Sequence, residues 1–526
     1  MKVIFVHLDL GIGGAEMLVV NAAVAATRAG HDVVIYTSHH DEKRCFKETA
    51  GKGVLAGRIR VRGDWLPRHL LFGRFTAFCA VVRMLWLALC VVTGEAAAAK
   101  LFRRKGPGGW CGRVGGVSGD RGRKEGEDGL DGEQEQHQQQ QRPENKEEDR
   151  DRGEKTAPTV VFCDGVSAPV PLLRLAGPVL FYCHFPDKLL CVRRGSLLKR
   201  AYRWPLDLLE EATTGYASSV AVNSSFTAGI FRESFPRLAR RYQSPSTSQE
   251  DIAQEGGRRG AGGVGGTGKR LRVLYPPTDV DAYPARQYDA ATPPEHMGPI
   301  VSLNRYERKK NLPLAVEALG WAFRNMGAEE ASRRGLRLVI AGGYDPRVPE
   351  NIQHLDELKE VATRLGLEDA VEFRTNVSDD ARAKLLRSAS CVLYTPSREH
   401  FGIVPVEAMC CGAPVIAVNS GGPLETVVHD VTGHLCDPTP EAFGSAIVSI
   451  ARNPAQSREM GKRGRQRVKD QFSMESFAGA FQDSLREVST PPSGRSLAGF
   501  NTLLAMFLAG VVVAALGAIF FHDGMN

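Results

Sequence analysis

Short apolar runs alternate with helical patterns along most of the sequence. In the first part these runs are KVIFVH, HDVVIYTS, TVVFCD, PVLFYCH and SVAVNSSF, and in the second part they are PIVSLN, LRLVIAGG, AVEFRT, CVLYTP and APVIAV. Strands that alternate with helices form parallel sheets, because each parallel connection needs a crossover that a helix supplies. The sequence therefore predicts an α/β protein with two parallel-sheet domains.

The length and the local composition divide the chain further. A chain of 526 residues is too long to form a single hydrophobic core, since single cores usually stop growing near about 250–300 residues. We expect a first domain over 1–275, a second over 276–472 and a helix over 473–490 that returns to the first. Two polar segments, about 103–155 and about 243–269, lack the apolar residues that would offset their ordering entropy. We predict that both are disordered insertions without catalytic chemistry.

The stretch 497–521, LAGFNTLLAMFLAGVVVAALGAIFF, contains no charged residue. A helix that spans a bilayer needs about 20 apolar residues, so we predict a C-terminal transmembrane anchor. Arg486 and Arg495 precede the stretch and Asp523 follows it, which places the body of the protein in the cytosol by the positive-inside rule. A buried core helix is the alternative.

A second apolar stretch, 70–92, contains Arg74 and Arg83. A charge near the middle of a bilayer is costly, whereas arginines that reach the headgroups suit a helix lying in the membrane interface. The pattern favours a membrane-lying helix and leaves an internal core helix open.

The overall charge and the cysteines exclude several classes of function. The net charge of +7 forms no continuous basic stripe, so we expect no nucleic-acid partner, while a membrane surface or a phosphorylated substrate is compatible. Eleven cysteines occur without a Cys-x-x-Cys pair, which indicates reduced cytosolic thiols and no structural zinc.

The stretch EHFGIVPVEAM places seven residues between Glu399 and Glu407. Proline is favoured at the first position of a helix, so Pro405 predicts that a helix begins there, after Glu399 and with Glu407 in its first turn. Downstream, 414–418 is a predicted strand that a Gly-Gly-Pro turn and a second helix follow. A strand-loop-helix corner directs free backbone N–H groups outward, which suits an anion.

Three further segments follow predicted strands at the same edge of their sheets. LNRYERKKN presents the cations Arg305, Arg308, Lys309 and Lys310 where a diphosphate needs them. FYCHFPD places His184 directly after a strand, where a structural role and a catalytic role are both open.

The third segment, HLDLGIGGAEMLV, places Gly13 and Gly14 between the first strand and the first helix. It is an incomplete dinucleotide fingerprint because Glu16 stands where the last glycine belongs, so a binding loop and a tight structural turn are both open. Asp279 and Asp281 form an Asp-x-Asp in the link between the domains, and we assign them no metal.

Taken together, GIGGAE, CHFPD, LNRYERKKN and EHFGIVPVEAM, with the following GAPVIAVNSGGPLETV, resemble the retaining GT-B glycosyltransferases of the Glu-x7-Glu type. Among these, the closest resemblance is to the mannosyltransferases that add α-1,3 and α-1,6 mannoses during dolichol-linked oligosaccharide assembly. The resemblance implies two Rossmann-like domains that face a cleft, the first for the acceptor and the second for the nucleotide sugar. Met17 departs from the arginine expected after GGAE.

The same resemblance implies the substrates and the location. The donor would be GDP-mannose and the acceptor a dolichyl-diphosphate-linked oligosaccharide, with no metal or other cofactor. The protein would sit in the endoplasmic reticulum membrane with its catalytic domains facing the cytosol, and other mannosyltransferases of the pathway are further expected partners.

Roles for single residues also come from the resemblance. Glu399 would face the transferred sugar and Glu407 the donor ribose. The charge on the departing GDP would be neutralised by Arg305 and Lys310, with Lys309 as a helper, and His184 would contact the reacting sugar. The remaining expected contacts with the donor or acceptor are Gly13, Gly14, Ile403 and Val404.

Three other functions remain open on the sequence alone. The first is a GT-B glycosyltransferase with a different nucleotide sugar or a different lipid acceptor. The second is a dinucleotide-binding oxidoreductase, which the missing final glycine and the cationic second domain disfavour. The third is a catalytically silent, tail-anchored scaffold.

Overall fold

The computed structural model describes residues 1–69, 75–102, 158–190, 197–240, 242–243, 269–286 and 297–489. The predicted anchor over 497–521 lies outside these residues. So do Arg74 and, within the two predicted insertions, residues 103–155 and 244–268.

The first domain contains a parallel sheet of eight strands. These are β1 (Lys2–Leu10), β2 (Asp32–His40), β3 (Ile59–Val61), β4 (Thr159–Asp164), β5 (Val179–Cys183), β6 (Ser219–Val222), β7 (Tyr242–Gln243) and β8 (Lys269–Val273). Their order across the sheet is β3-β2-β1-β4-β5-β6-β8-β7. The order reverses between β1 and β4, and ligands of such sheets bind at the carboxyl ends of the strands beside this reversal.

The second domain contains a parallel sheet of six strands. These are β9 (Ile300–Leu303), β10 (Leu338–Gly342), β11 (Val371–Thr375), β12 (Cys391–Tyr394), β13 (Val415–Val418) and β14 (Gly433–Cys436). Their order is β11-β10-β9-β12-β13-β14, with the reversal between β9 and β12. The prediction of an α/β protein with two parallel-sheet domains is therefore confirmed.

The α-helices of the described residues connect these strands and cover the sheets. They are α1 (Gly14–Arg28), α2 (Thr76–Phe102), α3 (Val170–Leu173), α4 (Asp187–Leu190), α5 (Leu197–Thr214), α6 (Ser225–Ser234), α7 (Pro236–Ala239), α8 (Pro313–Met326), α9 (Ala328–Arg333), α10 (Pro349–Arg364), α11 (Asp379–Ser388), α12 (Ile403–Cys410), α13 (Pro423–Thr426), α14 (Pro440–Arg452), α15 (Pro454–Gln471) and α16 (Met474–Ser489). Short 3₁₀ turns lie at Lys47–Thr49, Ala56–Arg58 and Arg308–Lys310.

The last described helix, α16, packs on the first domain. Its Phe481 is fully buried and lies 5.6 Å from Phe162 and 6.3 Å from Phe5, measured between ring centroids. Phe477 and Leu485 join the same apolar cluster. Burial of such aromatic side chains is worth about 1.5–3 kcal/mol each, so this helix ties the end of the described chain to the first sheet.

Helix α2 includes residues 76–92 of the stretch for which the sequence favours a membrane-lying helix. Within the described residues, its segment Thr76–Gly94 is long and apolar enough to span a membrane by length and composition. One side of the helix packs on the first sheet, where Met84 and Leu87 are fully buried. The expectation that Arg83 reaches lipid headgroups is wrong, since its side chain is 3% exposed and it forms an ion pair with Asp9 of β1.

Candidate active site

The carboxyl ends of the two sheets face each other, because loops that follow β5 and β6 contact loops that follow β12 and β13. The rings of Phe185 and His400 stack with centroids 3.8 Å apart. The hydroxyl of Ser224 donates a hydrogen bond to the backbone carbonyl of His400. The candidate site is therefore built at the boundary between the domains.

Two glycines allow the tight backbone corner between β12 and α12. Gly402 precedes α12 in a left-handed conformation with φ 81°, which glycine adopts without strain. Gly421, also left-handed, lies so close to the corner that a Cβ there would be 2.5 Å from the carbonyl oxygen of Glu399. Helix α12 begins at Ile403, two residues before the predicted start at Pro405. Proline fits this position because the first turn of a helix leaves its N–H groups unpaired.

Lys310 and Glu399 form an ion pair across the second sheet's carboxyl edge. Their side chains are 16% and 27% exposed, so the pair is partly shielded but open to a ligand. The nearby His400 has a pKa lowered by burial, and the charges of Glu399, Lys310, Lys309 and His184 all act on it. The charges of four predicted site residues thus act on one imidazole.

Unlike Lys310, the other three predicted cations pair with carboxylates other than Glu399. Arg305 and Lys309 lie at the surface and share Glu307, at 3.8 Å and 3.0 Å respectively. Arg308 turns away to pair with Glu357 of α10. The side chains of Arg305 and Lys309 are 73% and 69% exposed, which leaves them able to reach an anion at the edge.

Glu407 is buried in α12, 7% exposed, with both carboxylate oxygens occupied. Tyr283 donates a hydrogen bond to one oxygen at 3.0 Å, and Arg382 binds the other. Burial raises the pKa of Glu407. An ionised carboxylate offers about four lone-pair positions, so these contacts fix Glu407 without exhausting its capacity to accept a ligand hydroxyl.

His184, directly after β5, forms a cluster with two buried residues. Asp164 Oδ2 lies 2.8 Å from His184 Nε2, and Asp164 Oδ1 lies 2.8 Å from His7 Nδ1. Burial opposes the ionisation of Asp164, but the charge of His7 and the hydrogen bonds from both histidines outweigh it and lower the pKa of Asp164 to about 2. Asn223 also donates a hydrogen bond to the backbone carbonyl of His184 at 3.1 Å.

The remaining predicted contacts lie at helix starts. Gly13 and Gly14 begin α1, and the carboxylate of Glu16 folds back to within 2.3 Å of the position that a Cβ at Gly13 would take. Ile403 and Val404 form the first turn of α12, where backbone N–H groups are available to a ligand. Each pair thus borders the carboxyl edge of its own sheet.

Comparison with known proteins decides the family. Residues 291–467 match the model of the glycosyl transferases group 1. The chain is 40% identical to the α-1,3/1,6-mannosyltransferase ALG2 of Homo sapiens, covering 90% of this chain and 93% of the relative. It is 37% identical to that of Dictyostelium discoideum, over 91% of this chain and 96% of the relative. The chain belongs to the ALG2 family of α-1,3/1,6-mannosyltransferases.

A solved structure supports the fold independently. The sucrose-phosphate synthase of Thermosynechococcus elongatus superposes with a TM-score of 0.57 at 18% identity, covering 93% of this chain and 99% of that one. The chain is therefore an ALG2-family enzyme that transfers mannose and has the GT-B arrangement of two Rossmann-like domains.

Sequence reasoning missed several residues of the site in this ALG2-family chain. Asp164 is a carboxylate at the end of an apolar strand, and this position is the sequence signal that could have identified it as a site residue. His7 lies inside β1 and is indistinguishable from a structural histidine in the sequence. Glu425 follows the Gly-Gly-Pro turn and bonds to the other domain, and no local pattern reports such a contact.

One group of the described residues has the donor set of a metal site. The ligand atoms of His429, Asp430 and His434 all lie within 4.8 Å of one another. The group lies at the amino end of β14, at the opposite edge of the sheet from Lys310 and Glu399. It has no part in the candidate active site of this ALG2-family chain.

Proposed function

We propose that this enzyme transfers mannose from GDP-mannose, with retention, to a dolichyl-diphosphate-linked oligosaccharide and forms α-1,3 and α-1,6 linkages. The proposed setting is the endoplasmic reticulum membrane, with both catalytic domains in the cytosol. The α-1,3/1,6-mannosyltransferase relatives support this proposal.

The observation that carries the proposal is the position of the Lys310–Glu399 ion pair. It lies at the carboxyl edge of the second sheet, next to His400, which stacks on Phe185 of the first domain. A nucleotide sugar bound at this edge would have its diphosphate beside Lys310 and its sugar facing the first domain. The acceptor would then approach from the first domain.

Each side chain has a defined task in this proposal. Lys310 and Arg305 neutralise the charge that grows on the departing diphosphate, with Lys309 as a helper. Glu399 hydrogen-bonds the mannose and holds Lys310 in place. Because such charge stabilisation is preorganised, removing one donor typically costs about 3–4 kcal/mol of transition-state stabilisation.

Other residues contact the ribose and the phosphates of the donor, and the acceptor. Glu407, fixed by Tyr283 and Arg382, accepts hydrogen bonds from the ribose. The N–H groups of Ile403 and Val404 face the phosphates, while Gly13 and Gly14 border the acceptor. The cationic side chains supply the charge neutralisation, so the proposal includes no divalent metal.

The proposed reaction keeps the configuration at the anomeric carbon. The acceptor oxygen bonds to that carbon on the face from which GDP leaves. The bond between the carbon and the phosphate oxygen breaks, and its electron pair stays on the phosphate oxygen. The acceptor proton passes to the leaving phosphate oxygen. His184 contacts the reacting mannose as positive charge develops on the sugar ring.

The test of the proposal is a transfer assay with the full-length protein. GDP-mannose and a short dolichyl-diphosphate oligosaccharide are supplied in the presence of a chelator, and the linkages of the product are determined. We expect α-1,3 and α-1,6 mannoses, with UDP-sugars failing to compete. Effective competition by a UDP-sugar would support the alternative of a different donor, and absence of any transfer would contradict the proposal.

The proposed orientation is tested separately in sealed microsomes. Protease added outside should digest both catalytic domains. Full protection of these domains would place them in the lumen and overturn the cytosolic assignment. This experiment needs no enzyme activity, so its result does not depend on the identity of the donor.

A further inference from the structure

Three side chains from adjacent central strands of the first sheet form a continuous hydrogen-bonded group. His7 lies in β1, Asp164 ends β4 and His184 follows β5. Asp164 lies between the two imidazole rings, and each of its carboxylate oxygens is 2.8 Å from a nitrogen of one ring. Asp164 is 2% exposed and His7 is 6% exposed, whereas the side chain of His184 is 25% exposed. Only His184 therefore presents its ring toward the boundary between the domains.

The direction of these hydrogen bonds follows from the charge of Asp164. Both neighbouring imidazoles hold its carboxylate in the ionised form, and an ionised carboxylate is only an acceptor. His7 must then donate from Nδ1 and His184 from Nε2. A neutral imidazole carries a single N–H, so in the neutral form of His184 the lone pair lies on Nδ1.

The orientation of His184 is also fixed from its other side. Its backbone carbonyl accepts a hydrogen bond from the side chain of Asn223, and its ring lies 4.8 Å from that of Tyr182, between centroids. The ring therefore has one hydrogen-bonding atom, Nδ1, left for a ligand.

We propose that Asp164 is a positioning residue, which acts by fixing the Nε2–H tautomer of His184 so that Nδ1 accepts a hydrogen bond from a hydroxyl of the reacting sugar. This inference rests on the proposed function, in which His184 contacts the transferred mannose. His7 holds Asp164 in place from the far side. A carboxylate that sets the tautomer of a functional imidazole recurs in enzymes and metal sites.

The buried end of the group distinguishes the two histidines. Nε2 of His7 is buried without a hydrogen-bond partner among the described residues. Burial lowers the pKa of His7, but the Asp164 carboxylate, together with smaller contributions from Glu16 and the backbone of Asp9, outweighs it, so the net shift is upward. The contact with His7 therefore contributes to holding Asp164 ionised, and His184 is the member that meets the substrate.

The experiment measures the tautomer directly. Full-length protein carrying ¹⁵N-labelled histidine is studied by NMR in detergent, and the His184 signals are assigned by their loss in His184→Gln. We expect the Nε2–H tautomer in the unmodified protein. A signal from the Nδ1–H tautomer would overturn the proposal without any variant of Asp164.

The second arm uses Asp164→Asn. An asparagine side chain donates from one end and accepts at the other, so it cannot accept from both imidazoles. We expect His184 to change tautomer and kcat to fall about 10²-fold, while KM for GDP-mannose changes little. An unchanged tautomer, or a changed tautomer with normal kcat, would overturn the proposal.

Matched controls separate positioning from folding and from the proposed function. Asp64→Asn alters an exposed His–Asp pair in the same domain, where His39 Nδ1 lies 2.9 Å from Asp64, and should change neither readout. Normal kcat in His184→Gln would overturn the proposal even if Asp164 sets the tautomer. If GDP-mannose is not the donor, the proposed function fails, whereas the tautomer measurement still decides whether Asp164 positions His184.

Discussion

The ring of Phe185 lies flat on the ring of His400, with centroids 3.8 Å apart and planes 11° apart, although the two residues belong to different domains. Burial lowers the pKa of His400, so the stacked imidazole favours its neutral form. His400 is also the direct neighbour of Glu399. The position of the second domain on the first is therefore linked to the position of a predicted catalytic carboxylate.

A second contact across the domains gives the first prediction. The carboxylate of Glu425 accepts backbone hydrogen bonds from Ser225 and Phe226, at 2.7 Å and 2.8 Å, at the start of α6. It also accepts a hydrogen bond from the hydroxyl of Tyr275 at 3.0 Å. We expect Glu425→Ala to loosen the two domains at a cost of about 1.5–3 kcal/mol, because it removes charge-assisted bonds.

Calorimetry and solution scattering check this prediction. Glu425→Ala should lower the Tm and increase the radius of gyration. Glu441→Ala is the matched control, since Glu441 is an exposed acid in the first turn of α14 in the same domain. Equal behaviour of the two variants would show that Glu425 does not hold the domains together.

The ion pair at the candidate site gives the second prediction. Lys310→Ala should lower kcat/KM for GDP-mannose about 10²- to 10³-fold, since it removes a preorganised cation from the diphosphate. The fold should persist, because Lys310 lies at the sheet edge and contributes no apolar surface to the core. Lys359→Ala is the control, as Lys359 lies on the surface of α10 and pairs with Asp356 at 3.5 Å. Near-normal turnover of a folded Lys310→Ala protein would contradict the diphosphate role.

The architecture was predictable from the sequence because it depends on local patterns. Alternating apolar runs determine the strands, and short connections through helices determine that they are parallel. The apolar run CVLY and Pro405 were sufficient to place Glu399 between a strand and the start of a helix. Contacts such as Ser224 with His400 depend on how two separate sheets face each other, and no local pattern contains that information.

Helix α2 shows why the expectation for Arg83 was wrong. Its sequence is equally compatible with lipid and with a sheet surface, because both bury apolar side chains. What buries Arg83 is its ion pair with Asp9, a residue far from it in the chain. Likewise, the four cations after β9 look equivalent in the sequence, but they have different acidic partners in the fold. Lys310 pairs with Glu399, whereas Arg308 pairs with Glu357.

The third prediction concerns the ion pair between the buried Arg83 and the partly exposed Asp9. Arg83 is 3% exposed while Asp9 is 36% exposed, so Asp9→Ala leaves an uncompensated charge beneath α2. We expect a loss of about 3 kcal/mol in the free energy of unfolding. Asp32→Ala should cost less than about 1 kcal/mol, since Asp32 and Arg58 form an exposed pair. Similar denaturation midpoints for both variants would show that Arg83 is not held by Asp9.

The last prediction concerns the loop that carries His184 and Phe185. Glu210 of α5 accepts hydrogen bonds from the backbone N–H groups of Asp187 and Lys188, at 2.7 Å and 3.0 Å. Burial of the carboxylate raises the pKa of Glu210 from 4.5 to about 7. A raised carboxyl pKa means that the folded state binds more protons than the unfolded state between these values. This group therefore lowers stability as the pH rises from 4.5 to about 7.

Glu210→Gln should remove this contribution, because an amide does not titrate and still accepts one of the two hydrogen bonds. We expect the Tm of the variant to depend less on pH over this interval than that of the unmodified protein, and the difference between them to shift in favour of the variant as the pH rises. Glu211→Gln is the matched control, since Glu211 is the neighbouring carboxylate on α5 and accepts a backbone hydrogen bond from Arg237 at 3.1 Å. Parallel Tm profiles for Glu210→Gln and the unmodified protein would show that Glu210 does not titrate in this range, and that the loop before α4 is held by an acceptor whose charge is constant.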